Sequence, residues 1–68
     1  MIHIISMNEK KAHVIYNSKH YVISNNGFET LIFRGKTDGT ISIYEEYGSA
    51  ESIQDAIQNF KSCLHSWK

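Results

Sequence analysis

The sequence predicts an α+β fold, an antiparallel meander of four or five strands with one C-terminal helix packed on one face. Two observations carry the prediction. From Ser49 onward the apolar residues Ala50, Ile53, Ala56, Ile57, Phe60, Cys63, Leu64 and Trp67 follow the i, i+3, i+4, i+7 spacing of one helix face. Before Gly48 the chain is a series of short runs rich in Ile, Val, Tyr, Phe and Thr, broken by Asn, Gly, Asp, Ser and Lys. At 68 residues the whole forms a single domain, with a sheet over 1–47 and a helix over 49–67.

Strands are expected at about 2–6, 12–16, 20–24, 28–34 and 40–47. Matching apolar partners sets the register. Placing Ile4 opposite Val14 aligns the first pair. A three-residue Asn17-Ser18-Lys19 loop sets Val14 against Val22 and Ile15 against Tyr21, giving apolar matches on both faces. A three-residue Thr37-Asp38-Gly39 loop, with Gly39 left-handed, sets Phe33 against Ile43 and Ile32 against Tyr44. Gly48 then ends the last strand and Ser49 caps the helix through its hydroxyl. Glu51 and Asp55 lie near the positive end of the helix dipole, and Lys61, His65 and Lys68 near the negative end.

In that register Ile2, Ile4, Val14, Tyr16 and Val22 share one face. Ile5, Ile15, Tyr21 and Ile23 share the other with His3 and His13. One helix covers one face only, so the second apolar face asks for a cover. A homodimer through Ile5, Ile15, Tyr21 and Ile23 would supply it, as would a foreign partner. A strongly coiled sheet wrapping the helix is the plainer solution.

Composition bounds the function. A domain of this size has little room to enclose a substrate pocket, which argues against an enzyme. The single cysteine, Cys63, forms no internal disulfide, and Met1-Ile2-His3-Ile4-Ile5 lacks the basic region and long apolar run of a signal peptide. A soluble protein in a reducing cytoplasm is expected, with no membrane span.

Reactive residues are present without the spacing that chemistry requires. His3, His13, His20 and His65 invite a metal reading, with His3 and His13 as diagonal neighbours, yet no Cys-x-x-Cys or helical His pair accompanies them. They read as half-buried imidazoles, and neither a metal nor a cofactor is expected. Cys63 lies on the apolar stripe and His65 on another helix face, so Cys63 reads as core. Glu45 and Glu46 are sequential strand residues that point to opposite faces, which removes a paired acid and base. Gly27, Gly35, Gly39 and Gly48 are scattered at turns and form no phosphate-binding loop.

Charge carries the sharpest signal. Acidic and basic residues balance at seven each, yet Asp38, Glu45, Glu46, Glu51 and Asp55 fall between Thr37 and Asn59, where there is no lysine or arginine. This suggests an acidic docking surface for a basic partner, with Tyr44 and Tyr47 supplying aromatic contacts. Its plain alternative is a solvated face that keeps the domain soluble. Direct nucleic-acid binding through Lys10, Lys11 and Lys19 is a lesser alternative, since these form a thin basic stripe in a near-neutral chain.

The segment from Thr30 to Trp67 loosely resembles the hairpin and helix of small phage anti-CRISPR proteins that inhibit a type II effector nuclease. Leu31-Ile32 followed by Arg34, the Asp38-Gly39 turn, the acidic strand through Glu45-Glu46, and a helix with Ile53, Phe60 and a late tryptophan carry the likeness. That family begins with a helix and is strongly acidic, whereas this chain begins with strand-forming residues and is neutral. The Gly48-Ser49 approach to an Ala/Ile-rich helix is also similar to small antitoxins that pair with an RNA-cleaving toxin. Both resemblances imply a small non-catalytic protein of a mobile element that acts by occupying a host macromolecule. The expected function is therefore a binding module that inhibits or modulates a host defence or nucleic-acid-handling protein through Asp38, Tyr44, Glu45, Glu46, Tyr47, Glu51 and Asp55. A homodimeric regulatory subunit is the second expectation.

Overall fold

The computed structural model describes residues 2–64, apart from the side chains of residues 42–46. Five strands, β1 (Ile2–Met7), β2 (Lys11–Tyr16), β3 (Lys19–Asn25), β4 (Thr30–Gly35) and β5 (Ile41–Ala50), form one antiparallel sheet in the order β1-β2-β3-β4-β5. Two short helices follow, α1 (Ile53–Gln58) and α2 (Phe60–Cys63). They pack on one face of the sheet, where Ile53, Ala56, Phe60, Cys63 and Leu64 close over Ala12, Val14, Tyr21, Ile23 and Ile32. The meander with C-terminal helical cover is the α+β architecture that the residue patterns predict.

Register departs from expectation at the second hairpin. Asn17 and Ser18 both take positive φ, 51° and 64°, and make a two-residue turn that pairs Tyr16 with Lys19. Such a turn matches the right-handed twist of the flanking strands, whereas the expected three-residue loop does not form. The one-residue slip turns β3 over. Val14 lies opposite Tyr21 and Ala12 opposite Ile23, so Tyr21 and Ile23 lie under the helices. Of the expected dimer face, only Ile15 and Ile5 stay outside the core. Ile15 is half-buried, and Ile5 is 46% exposed at the irregularity between Ile4 and Ser6.

The far face is partly covered by the chain itself. The loop closing β4 and β5 has the expected three residues between Lys36 and Thr40, joined by the Lys36 N–H donating to the Thr40 carbonyl at 2.7 Å, and Gly39 has φ +89°. Beyond it the expected Phe33–Ile43 pairing gives way to Phe33 opposite Glu46. Ile32 then lies opposite Gly48. The extra residues on β5 are bulges, which bend and twist a strand. The hairpin lies against His13, since a Cβ at Gly39 would stand 3.1 Å from His13 Nδ1. Val22 and His13 on this face are buried by intramolecular contacts.

The helical region also begins later than expected and is divided. β5 runs through Gly48 and Ser49 to Ala50, and Ser52 caps α1, its hydroxyl accepting from the Asp55 N–H at 3.0 Å. Asp55 in turn accepts from the Glu51 N–H at 3.2 Å, a reciprocal arrangement that satisfies donors on both sides of the cap. Gly48 does not end the strand. It allows α2 to approach, because a Cβ there would overlap the Cys63 carbonyl. Asn59, at φ −123° and ψ 37°, separates α1 from α2, and its side-chain amide donates to Asp55 at 3.0 Å. The expected His65, Trp67 and Lys68 end of the helix lies outside the described residues.

Candidate functional site

The β2–β3 turn, β4, β5 and α2 converge on a cleft of about 430 Å³ lined by Tyr16, Asn17, Lys19, Tyr21, Arg34, Tyr47, Lys61 and Leu64. Local structure explains each position. Tyr16 and Lys19 face one another across the two-residue turn, and Arg34 lies opposite Tyr21 on β4. Lys61 follows the buried Phe60 on α2. The aromatic side chains are fixed by mutual packing. Tyr16 sits 4.9 Å from the Phe60 ring centre, Phe60 meets Tyr21 edge-on at 5.3 Å, and Tyr47 meets Tyr21 edge-on at 6.0 Å. The Arg34 guanidinium carbon stands 5.8 Å from the Tyr21 ring centre, within cation–π range. Among the described lining residues there are three cations and no carboxylate.

A second constellation lies on the opposite face. His13 Nε2 and His20 Nδ1 are 2.8 Å apart. Their ring centres are 5.0 Å apart, close to the sum of that contact and the two ring radii, so the two nitrogens point at one another. This is the geometry of a shared proton, whereas a common metal ion requires both lone pairs to aim at a third point. No group of three or more metal-ligating side chains occurs among the described residues. Burial pushes the His13 imidazole below its ordinary pKa, and a positive charge on His20 adds to this, while Asp38 pulls the other way. The histidine paired with His13 is thus His20, and the exposed His3 lies opposite Ile15.

The expected acidic surface is divided by the fold. Asp38 belongs to the hairpin over the far face, where the Thr40 hydroxyl and N–H donate to its carboxylate at 2.7 and 3.0 Å and hold its pKa below the usual value. Glu51 and Asp55 flank the start of α1 on the helix side, and Asp55 is engaged in capping. Tyr47 packs against the core and joins the cationic cleft. Glu45 and Glu46 lie on β5, with Glu46 opposite Phe33, while their side chains and that of Tyr44 lie outside the described residues.

Lys10 and Lys11 lie at the other end of the β2–β3 ladder from Lys19, so the three do not form one patch. Cys63 is buried, and burial followed by the nearby Asp55 charge raises its thiol pKa, as suits a core residue and not a nucleophile. Sequence reasoning missed the cleft. The available signal was the Asn17-Ser18 turn, which brings Tyr16 and Lys19 together. No helix among the described residues is long and apolar enough to cross a membrane. No protein-family model matches the chain, and neither a curated protein nor a solved structure is significantly similar to it.

Proposed function

We propose that this domain is a non-catalytic binding module that holds an anionic partner in the tyrosine and cation cleft. The observation that carries the reading is the convergence of Lys19, Arg34 and Lys61 on one concavity, in a chain with as many acidic as basic residues. An anion placed there meets three positive charges, one of them held over an aromatic ring, with no carboxylate among the described lining residues to compete. Of the partners suggested by the sequence, a basic host protein would require the acidic residues to act together, whereas among the described side chains Asp38 lies in the hairpin over the far face and Glu51 and Asp55 lie at the start of α1. An anionic partner uses Lys19, as the nucleic-acid alternative did, but with Arg34 and Lys61 in place of Lys10 and Lys11.

Retention on an immobilised polyanion tests the reading. With three contacts to a single-stranded polyanion, the logarithm of affinity is expected to fall with the logarithm of salt with a slope of about −2, and Lys19→Gln or Lys61→Gln should each reduce that slope by about 0.7. Lys10→Gln should leave it unchanged. A parent protein that flows through at low salt, or a Lys10→Gln variant as impaired as Lys61→Gln, would overturn the proposal.

A further inference from the structure

Resting on that reading, we infer that the anionic partner is a single-stranded nucleic acid, one nucleotide of which occupies the cleft. The choice follows from what lies beside the charges. Tyr16 and Tyr47 are half-buried and line the same cleft as Lys19, Arg34 and Lys61, while Tyr21 is buried beneath Arg34, so partly exposed aromatic surface and positive charge share one concavity. Aromatic faces carry negative potential and offer nothing to the carboxylate of an acidic peptide. A nucleotide has both parts, a phosphate for the cations and a flat base for the rings.

Size points the same way. A cleft of about 430 Å³ is at the small end of ligand sites and suits one splayed-out nucleotide. A duplex keeps its bases stacked inside and would offer only phosphates, whereas a single strand presents unstacked bases to aromatic side chains. The site is also preorganised. Tyr16 is braced on Phe60, Tyr47 on Tyr21, and Arg34 lies over Tyr21, so the groups are ordered before ligand arrives.

Fluorescence anisotropy with labelled oligothymidylate and oligouridylate of about 12 nucleotides, a length one small fold spans, provides the test. An abasic strand of equal phosphate count and a polyglutamate peptide serve as comparison probes. The base-bearing strands should bind about tenfold or more tighter than the abasic strand, the gain of one stacked base. Either sugar supports the inference. Tyr16→Leu should abolish the difference while leaving abasic affinity unchanged, which also reports that the variant is folded. The abasic comparison on the parent protein stands by itself should that variant unfold. Equal binding of base-bearing and abasic strands overturns the inference and leaves the anion-binding module intact. Polyglutamate binding as tightly as oligothymidylate replaces the nucleic acid with an acidic protein. Failure of every polyanion to bind overturns the module itself.

Discussion

Replacing Gly48 with alanine is expected to remove much of the domain's stability. Gly48 lies within β5 opposite Ile32, and an added Cβ would overlap the Cys63 carbonyl oxygen and stand 2.8 Å from the carbonyl carbons of Cys63 and Leu64. These are backbone atoms, so no rotamer change relieves the contact. The end of α2 must lift from the sheet, and Phe60, Cys63 and Leu64, all buried, lie there. Overpacking a well-packed site costs about 1–3 kcal/mol, and obstruction by backbone places this case at the upper end. At about 0.05–0.15 kcal/mol per residue, a domain of 68 residues has about 3–10 kcal/mol in total. A loss of about 3 kcal/mol lowers Tm by about 12–24 °C in a domain this small. Thermal unfolding followed by circular dichroism measures it. Gly27→Ala is the control, because Gly27 has φ +95° but nothing within 4 Å of an added Cβ, leaving only backbone strain of about 1–2 kcal/mol. A Gly48→Ala protein that melts within about 5 °C of the parent, or above the Gly27→Ala protein, would refute the close approach of α2 to β5.

The register of the second hairpin predicts that Ile23→Ala costs about 2–5 kcal/mol in urea unfolding, because Ile23 is fully buried, whereas Ile15→Ala costs markedly less. The reverse order would restore the three-residue loop. Ser18 holds φ 64°, so Ser18→Gly is expected to stabilise the turn by about 1 kcal/mol, and a lowered urea midpoint would contradict the two-residue geometry. His13 has its folded pKa below the ordinary 6.5, so in that region the unfolded chain binds more protons than the folded one. Its contribution to stability is complete above pH 6.5 and is lost as pH falls toward the depressed folded value. The urea midpoint should therefore drop on acidification in the parent and drop less in His13→Leu; equal slopes would show that His13 is not the group responsible.

What the sequence discloses depends on whether one short contact decides the matter. The Ile4–Val14 pairing and the left-handed Gly39 loop are both present as expected, because apolar matching and a glycine at the end of a turn are local signals. The second hairpin misleads because Asn17-Ser18 lacks the glycine that usually marks a two-residue turn, and apolar matching alone favours the wrong register. Placement of β3 depends on that single residue, and with it the burial of Tyr21 and Ile23, the His13–His20 contact and the cleft. Gly48 misleads differently. A glycine between a strand and a helix reads as a break, yet its role is to make room for backbone from another element. The cap at Ser52 was legible as Ser-x-x-Asp, though Ser49 offers a competing start three residues earlier. Closure of the far face by residues 36–40 depends on bulges in β5, which leave no period in the sequence.

Net charge is a poor guide to such a molecule because its charges act at different distances. The domain measures 26 × 21 × 20 Å along its principal axes, while the Debye length is about 8 Å at physiological ionic strength. A ligand at the cleft therefore responds to Lys19, Arg34 and Lys61 and is largely screened from Asp38 on the opposite face. Near 0.01 M salt, however, the Debye length reaches about 30 Å and exceeds the molecule, so an approaching polyanion senses the neutral sum of seven acidic and seven basic side chains. Lowering salt should strengthen the bound state through the three local cations while adding little long-range attraction during approach. Affinity gained in this way resides in slower dissociation, in contrast to a uniformly basic protein whose whole surface steers the encounter. The charges that the sequence keeps apart are thus regrouped by the fold, with Lys19, Arg34 and Lys61 brought to one cleft and Asp38 and Asp55 engaged in holding a turn and a helix start.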